Sequence, residues 1–501
     1  MKKSITKISL ICFLFLSINT KSQTGVYVPQ LQNFDTAMIG LLNQYGVPGG
    51  QLAITYYGRL VYNRGFGYAD TASHTLVCPD NVFRLASVSK QITSVTIMHL
   101  YEQGRVHLDD TVFGVNGILN DTIYQNVLDP RVFDITVREL LTHSGGWNRN
   151  ISGDPMFDAY NIAVAMSATP PANSVTVIKF VLQYDTLDFI PGTQYQYSNL
   201  GYAILGRVIE KITGQNYETY VRDSVLQWMN ITDMHSGFNL LINSLPNEVH
   251  YYDYPGAPYA YSVYDNTTMV PWPYGGFNIE AMDANGAWVA SAEDLCKFLV
   301  SVDGFNTKPD FLLPATIDTM VKPSLNNVNY ALGWQVNSNN NWWHTGSLPG
   351  TSTEQVRASN QLNWAILLNT RPSNSTPLVT AADQLVWNVL PTINSWPSFD
   401  LFDSTYVCSG TFVNAIEESS STITVYPNPA NTSLTIHQTN SQLSILNSQL
   451  IITDILGNEV YSQPINNQQS SVINLSNWSN GIYFYQIRNE KETLRGKFVK
   501  E

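Results

Sequence analysis

Phe83-Arg84-Leu85-Ala86-Ser87-Val88-Ser89-Lys90-Gln91-Ile92-Thr93 runs straight into a helical pattern that continues to Glu102. Ser87 falls where that helix is expected to begin. Lys90 follows three residues later, so the two side chains project from one face, a turn apart. A serine hydroxyl becomes a nucleophile when a neighbouring base takes its proton. A lysine serves as that base only when burial or nearby charge keeps its amine neutral. The helix N-terminus adds backbone N–H groups suited to a developing oxyanion. Taken alone, the tetrapeptide reads more readily as an N-cap serine followed by a solvated lysine, and Ser4-Ile5-Thr6-Lys7 repeats the spacing in an unrelated place. The surrounding chain decides between the two.

A serine nucleophile needs further proton-handling and positioning groups. Tyr197-Ser198-Asn199 offers them, lying between the Pro191-Gly192-Thr193 turn and an amphipathic helix expected over 199–213. A phenol held beside a lysine ammonium has a lowered pKa and can shuttle protons. Asn199 is expected to orient both Lys90 and a substrate carbonyl. The third piece is His344-Thr345-Gly346-Ser347, at the end of a strand expected over 342–344, where glycine lets backbone and substrate approach closely. Its N–H groups would complete an oxyanion hole. His143-Ser144-Gly145 is a rival match to this third pattern, but it precedes Tyr197 and follows a helix.

The chain has 501 residues, enough for a large core and an accessory domain. Apolar content of 44% is that of a globular protein, with 13% charged and 12% aromatic residues. A net charge of −13 argues against nucleic acid or an anionic membrane as partner, since both reward basic patches. Met1-Lys2-Lys3 and Lys7, the apolar run 8–18 and the polar residues to Gln23 read as a secretory signal peptide over 1–22. That run is too short to span a bilayer, and no later stretch is long and apolar enough. Cys12 follows Ile11 rather than a small residue, so no lipid anchor is expected. Cys78, Cys296 and Cys408 remain after cleavage. Three cysteines cannot all pair within one chain, their spacing fits no zinc motif, and the sequence does not name the pair.

Helices are expected over 31–45, around 135–141, over 175–182 and 292–302, and over 381–390. Strands are expected over 51–57 and 60–68 as a hairpin, and over 329–337, 342–344, 352–358 and 364–368. Strands near both ends with a mostly helical insertion between them imply one antiparallel sheet flanked by helices, with the first and last helices packed together on one face. Residues 238–277 are irregular and rich in Tyr, Pro and Gly. They read equally as a binding loop or as aromatics packing the loop onto its own domain. Residues 396–421 read as a linker, serine-rich over 417–422. Residues 422–501 read as a small β-sandwich with strands over 422–426, 433–437, 450–454, 471–475, 482–488 and 497–499.

Ser87-Val88-Ser89-Lys90, Tyr197-Ser198-Asn199 and His344-Thr345-Gly346, with Leu140-Leu141-Thr142-His143-Ser144-Gly145-Gly146, Pro191-Gly192-Thr193 and Gly333-Trp334, resemble the class C β-lactamase-like serine hydrolases. That superfamily includes penicillin-binding proteins, D-amino-acid peptidases and esterases. The resemblance covers about 31–390, and it implies a hydrolase domain over 23–395 with a β-lactamase/transpeptidase-like fold. It also implies acyl transfer without metal or cofactor. Ser87 would be the nucleophile, Lys90 and Tyr197 would share acid and base roles, and the N–H groups of Ser87 and Ser347 would form the oxyanion hole, with Thr345 and Gly346 lining the substrate. The family's lactamases carry lysine where this chain has His344, and a largely neutral histidine anchors a substrate carboxylate less well. The expectation is therefore a peptidase acting on D-amino-acid-containing peptides, or an esterase. A true β-lactamase is the alternative, and a catalytically silent peptidoglycan- or peptide-binding protein is the alternative from another class.

Val425-Tyr426-Pro427-Asn428-Pro429-Ala430, Asp454-Ile455-Leu456-Gly457 and Asn480-Gly481-Ile482-Tyr483 resemble the type A sorting domain of the type IX secretion system. This implies the secretion machinery as a partner, and a secreted or cell-surface protein that crosses the periplasm in transit.

Overall fold

The computed structural model describes residues 23–404, 408, 423–438, 448–454, 458–465, 470–488 and 493–501. The expected signal peptide and the serine-rich part of the linker lie outside them. Two compact units divide the chain at Val413/Asn414.

The first unit is built on one antiparallel sheet. In chain order its elements include β1 (Gln23–Gly25), α1 (Gln32–Tyr45), β2 (Gly49–Tyr56), β3 (Arg59–Asp70), α2 (Ser89–Glu102), α3 (Val137–Leu141), α4 (Ser174–Tyr184), α5 (Asn199–Thr213), β4 (Trp342–Leu348), β5 (Thr351–Ala358), β6 (Leu362–Leu368) and α6 (Ser375–Val389). The spatial order is β1-β3-β2-β6-β5-β4, with Gln335–Val336 on the far edge. Residues from both ends of the domain therefore meet at its centre, where Leu362–Leu368 pairs with Gly50–Tyr56. This is a β-lactamase/transpeptidase-like fold.

Every residue of β5 and β6 is buried, because helices cover both faces of the sheet. On one face Phe34, Met38 and Leu42 of α1 pack with Leu378 and Val386 of α6 against Trp364 and Ile366. The first and last helices do pack together as the sequence pattern expects. On the other face lies the helical insertion, centred on α2. The strand expected over 329–337 is only Gln335–Val336, and β4 runs through His344 to Leu348 rather than stopping there. Register with β5 explains the extension, since Gly346, Ser347 and Leu348 pair with Thr353, Ser352 and Thr351.

Cys78 is bonded to Cys408, with Cα atoms 5.7 Å apart, and Cys296 is buried and unpaired. The start of the expected linker also belongs to the first unit. The Arg59 guanidinium donates to Ser398 O, Leu60 N donates to Asp400 Oδ1 at 2.9 Å, and Lys308 donates to Asp400 at 2.9 Å, while Leu401 is buried. Composition misreads this segment because it is held by a few long-range bonds and one buried leucine. Cys78→Ser is expected to cost about 2–4 kcal/mol of stability, seen as a lower thermal midpoint. Peptide mapping without reductant should recover the segments around 78 and 408 as one species.

Glu354 of β5 is 2% exposed. Burial first, and the charge of Asp383 on α6 second, push its carboxyl well above the usual range. Folded protein thus keeps a proton that unfolded chain releases, so stability falls as pH rises through the ordinary glutamate pKa. Glu354→Gln is expected to gain about 1–3 kcal/mol at pH 7 and almost nothing at pH 4. Thermal melts of both proteins across that range check the sign.

Part of the aromatic segment packs onto its own domain, the second of the two sequence readings. Tyr251 and Tyr274 are drawn inward around Arg84, which lies 4.4 and 5.6 Å from their ring centroids and donates to Pro273 O and Phe238 O. Tyr259 and Tyr261 remain exposed.

The second unit is an all-β sandwich. Its strands are β7 (Ile423–Tyr426), β8 (Ser433–Gln438), β9 (Ser448–Thr453), β10 (Glu459–Ile465), β11 (Ser470–Asn474), β12 (Gly481–Arg488) and β13 (Thr493–Lys500). They form the sheets β7-β8-β11 and β10-β9-β12-β13 around Leu434, Ile452, Ile473, Tyr483 and Phe498. The strand missed from sequence, β10, is an edge strand, with Val460 40% exposed and Pro464 within it.

Candidate active site

Ser87 lies in a one-turn 3-10 helix, Ala86–Val88, that leads into α2. The preceding strand Phe83–Arg84 pairs with Trp288–Ala290, and Leu85 N donates to Trp288 O at 2.7 Å. From the other side, Thr351 Oγ1 donates to Arg84 O at 2.9 Å and Thr353 Oγ1 to Leu85 O at 2.7 Å. These bonds hold Ala86 at φ +49°, a conformation costly for a residue with a Cβ. From residue 82 to 98, only Ser87 is not buried. Its hydroxyl caps no helix N–H, so the bland N-cap reading of this serine fails.

Lys90, in the first turn of α2, is fully buried. Its Nζ lies 3.2 Å from Ser87 Oγ, 2.8 Å from Asn199 Oδ1 and 2.7 Å from the backbone oxygen of Asn285. Burial holds the amine well below the usual lysine pKa. The charge of Asp154 opposes this shift and that of Arg149 adds to it.

Tyr197 and Asn199 flank Ser198, whose Oγ accepts from Gly201 N at 3.1 Å and caps α5. That cap fixes the angle at which both neighbours leave the helix end. Asn199 gives its oxygen to Lys90, while its Nδ2 donates to Asp154 Oδ2 at 2.6 Å. The Tyr197 ring centroid is 4.9 Å from Lys90 Nζ, and its hydroxyl is hydrogen-bonded with Ser87. The expected lowering of the phenol pKa is overturned, because burial raises it.

His344 lies on β4 with its ring centroid 6.3 Å from that of Tyr197. It is 2% exposed, and burial lowers its pKa to about 3, with the charge of Lys90 adding. Its neighbours define its tautomer. Ser198 N donates to His143 Nδ1 at 3.2 Å, which leaves the proton of neutral His143 on Nε2, 3.0 Å from the Tyr330 hydroxyl. Tyr330 then donates its single proton to His344 Nε2 at 3.2 Å, and His344 Nδ1 donates to Thr345 O at 2.7 Å. Every nitrogen of both imidazoles is engaged.

Gly346 carries the strand past the Ser87 turn, where a Cβ would overlap Leu85 O and Thr353 Oγ1. Thr345 beside it is partly exposed and Ser347 is exposed. Gly333 has φ +81° and faces Ser94 of α2 so closely that a Cβ would overlap that side chain. This lets the segment bearing Tyr330 pack on the lysine helix.

The fold thus brings Ser87, Lys90, Tyr197, Asn199 and His344 into one cluster beside the strand at Gly346. Sequence reasoning missed five participants: Asn285, Tyr330, Asp154, Arg149 and His143, the last set aside as a rival match. Tyr330 and His143 were within reach, since each lies in or next to a quoted accessory motif. Nothing in the local sequence marks Asn285, which contributes a backbone oxygen.

A family described as Beta-lactamase matches residues 34–386, and the Secretion system C-terminal sorting domain matches residues 424–501. Protein flp of Staphylococcus aureus (strain MRSA252) is 25% identical over 332 residues, covering 64% of this chain and 59% of that protein. Penicillin-binding protein 4* of Bacillus subtilis (strain 168) is 26% identical over 328 residues, covering 63% of this chain and 66% of that protein. Among solved structures, the D-amino acid amidase from Ochrobactrum anthropi SV3 superposes with a TM-score of 0.55 at 20% identity, covering 72% of this chain and 99% of its own. Among the described residues no helix is long and apolar enough to cross a membrane.

Proposed function

Because the chain belongs to the beta-lactamase family, a superfamily of related hydrolases, we propose that it is an exported serine hydrolase working through an acyl-enzyme on Ser87. One observation carries this reading. A neutral amine has two hydrogens and one lone pair. Lys90 has two fixed acceptors, Asn199 Oδ1 and Asn285 O, and its third neighbour is the Ser87 hydroxyl at 3.2 Å. With both hydrogens committed, the lone pair is left facing the serine proton.

In this mechanism Ser87 Oγ attacks the substrate carbonyl carbon as its proton passes to Lys90. The oxyanion is received by the N–H groups of Ser87 and Ser347, with Thr345 and Gly346 beside the substrate. Tyr197 acts as a neutral phenol. Its raised pKa keeps the phenol protonated, so it holds a proton to pass to the departing amine or alkoxide as Lys90 replaces it. Water then attacks the acyl carbon as its proton passes to the same pair, which returns a proton to Ser87 Oγ as the acyl C–O bond breaks. No step asks for a metal or cofactor.

Peptides containing D-amino acids and esters are the proposed substrates, in preference to β-lactams. Support comes from His344, which is neutral and puts no cation at the β4 position where the resembled lactamases carry lysine. The tail is read as an address for type IX export to the cell surface or medium, and the Cys78–Cys408 bond suits an oxidising destination.

Intact-mass spectrometry after exposure to a fluorophosphonate, a penicillin and a p-nitrophenyl ester tests the reading. A single adduct mapped to Ser87 is expected from the fluorophosphonate and the ester. No adduct from any probe would instead identify a silent peptide-binding protein.

A further inference from the structure

Arg149 occupies the short loop that follows the His143 motif, beside the nucleophile. Its guanidinium carbon lies 4.9 Å from the centroid of the Tyr197 ring, the ring whose hydroxyl meets Ser87. The residue is exposed, and among the described residues no carboxylate forms an ion pair with it. Asp154, the nearby acid whose charge reaches Lys90, is occupied by Asn199 Nδ2 at 2.6 Å and Met156 N at 3.2 Å.

The loop is built rather than loose. Asn148 N donates to Asp188 Oδ2 at 2.7 Å and Ser152 Oγ to the same oxygen at 2.8 Å. Asn150 N donates to Asn148 Oδ1 at 3.0 Å, and Ile151 N to Asn148 O at 2.9 Å. Arg149 is thereby presented on a pinned turn, with the flat face of the half-buried Tyr197 ring orienting its fork.

The other basic groups around Ser87 are withdrawn. Lys90 directs its hydrogens at Asn199 and Asn285, and both imidazoles have both nitrogens engaged. Among the described residues, an anionic group entering this cleft therefore meets one free cation, a planar five-donor fork suited to bidentate binding of a carboxylate.

We propose that Arg149 is the carboxylate anchor of this active site, so that the preferred substrates carry a carboxylate close to the scissile carbonyl. The proposal rests on the serine-hydrolase reading above and names its substrate class. It places the anion at the Tyr197 side of the cleft, away from His344 on β4.

Steady-state kinetics with three esters test it: neutral p-nitrophenyl acetate, mono-p-nitrophenyl succinate with the carboxylate on the acyl side, and 4-acetoxybenzoate with it on the leaving side. Wild type is expected to favour at least one anionic ester over the acetate by about 10- to 100-fold in kcat/KM, mainly through KM. Arg149→Gln should collapse that ratio, Arg149→Lys should retain part of it, and Arg149→Glu should invert it. A ratio identical in wild type and Arg149→Gln overturns the proposal, as does a wild type without preference for either anionic ester. Failure of every ester to acylate Ser87 in wild type would instead overturn the hydrolase reading. Melting curves of the variants confirm that each is folded.

Discussion

Replacing Ser87 by alanine is expected to lower kcat by about 10⁴-fold or more and to leave the fold intact. The first half follows from the chemistry, because no other hydroxyl in the cluster combines partial exposure with an amine at 3.2 Å. The second half follows from what Ser87 does not do. Its side chain caps no helix, and the turn around it is held by Leu85 N, Thr351 and Thr353. Stability should therefore change by no more than about 0.5 kcal/mol. Turnover at the wild-type rate by a folded Ser87→Ala protein would rule out the acyl-enzyme on this residue. The adduct mass from a fluorophosphonate should vanish with the activity.

Lys90→Arg carries the second large effect. Arginine cannot lose its proton within the working range, so a positive charge would replace the amine that faces Ser87. A loss of about 10³-fold in kcat is expected, the magnitude of general-base catalysis. The pH profile gives the more specific reading. In wild type the base form exists above the folded-state pKa of Lys90, and activity falls as pH drops through it. Because burial depresses that pKa well below the usual lysine value, the acid limb should lie well below the ordinary lysine range. In Lys90→Arg that limb should be absent from whatever activity remains. An acid limb unchanged in the variant would assign it to another group and remove Lys90 from the base role.

Lys90, Tyr197 and His344 show how one environment sets three protonation states. Burial disfavours charge, so it lowers the pKa of the lysine and the histidine and raises that of the phenol. All three are pushed toward neutrality, which suits the base role proposed for Lys90 and the donor role proposed for Tyr197. Local charges act as smaller corrections, with Asp154 and Arg149 opposing one another at Lys90.

Much of this protein is written locally. The 3.6-residue pattern of α1, the alternation in the β2–β3 hairpin and the turn glycines suffice to place the main elements. The motifs of Ser87, Tyr197 and His344 name the cluster before any fold is known. The sandwich of the second unit is equally legible, apart from its edge strand β10, where exposure on both sides removes the alternation that marks a strand. Legibility ends where partners come from distant chain. Asn285 acts through a backbone oxygen, which no side-chain pattern records. The Cys78–Cys408 bond spans 330 residues, and three cysteines leave its choice open until the chain is folded.

Sequence by itself determined the sheet-and-helix architecture, the presence of two domains and the Ser87–Lys90 pair that is proposed as nucleophile and base. Those follow from periodicity and short spacing, which depend only on neighbours along the chain. Only the tertiary structure decided the direction in which the pKa values of Lys90, Tyr197 and His344 are shifted, the coupling of His143 to His344 through Tyr330, and the placing of Arg149 beside Tyr197 with no ion-paired carboxylate among the described residues. A pKa and a hydrogen-bond direction are set by what surrounds a group in space, and here that surrounding is assembled from segments more than a hundred residues apart, such as Lys90 and Asn199 at a separation of 109.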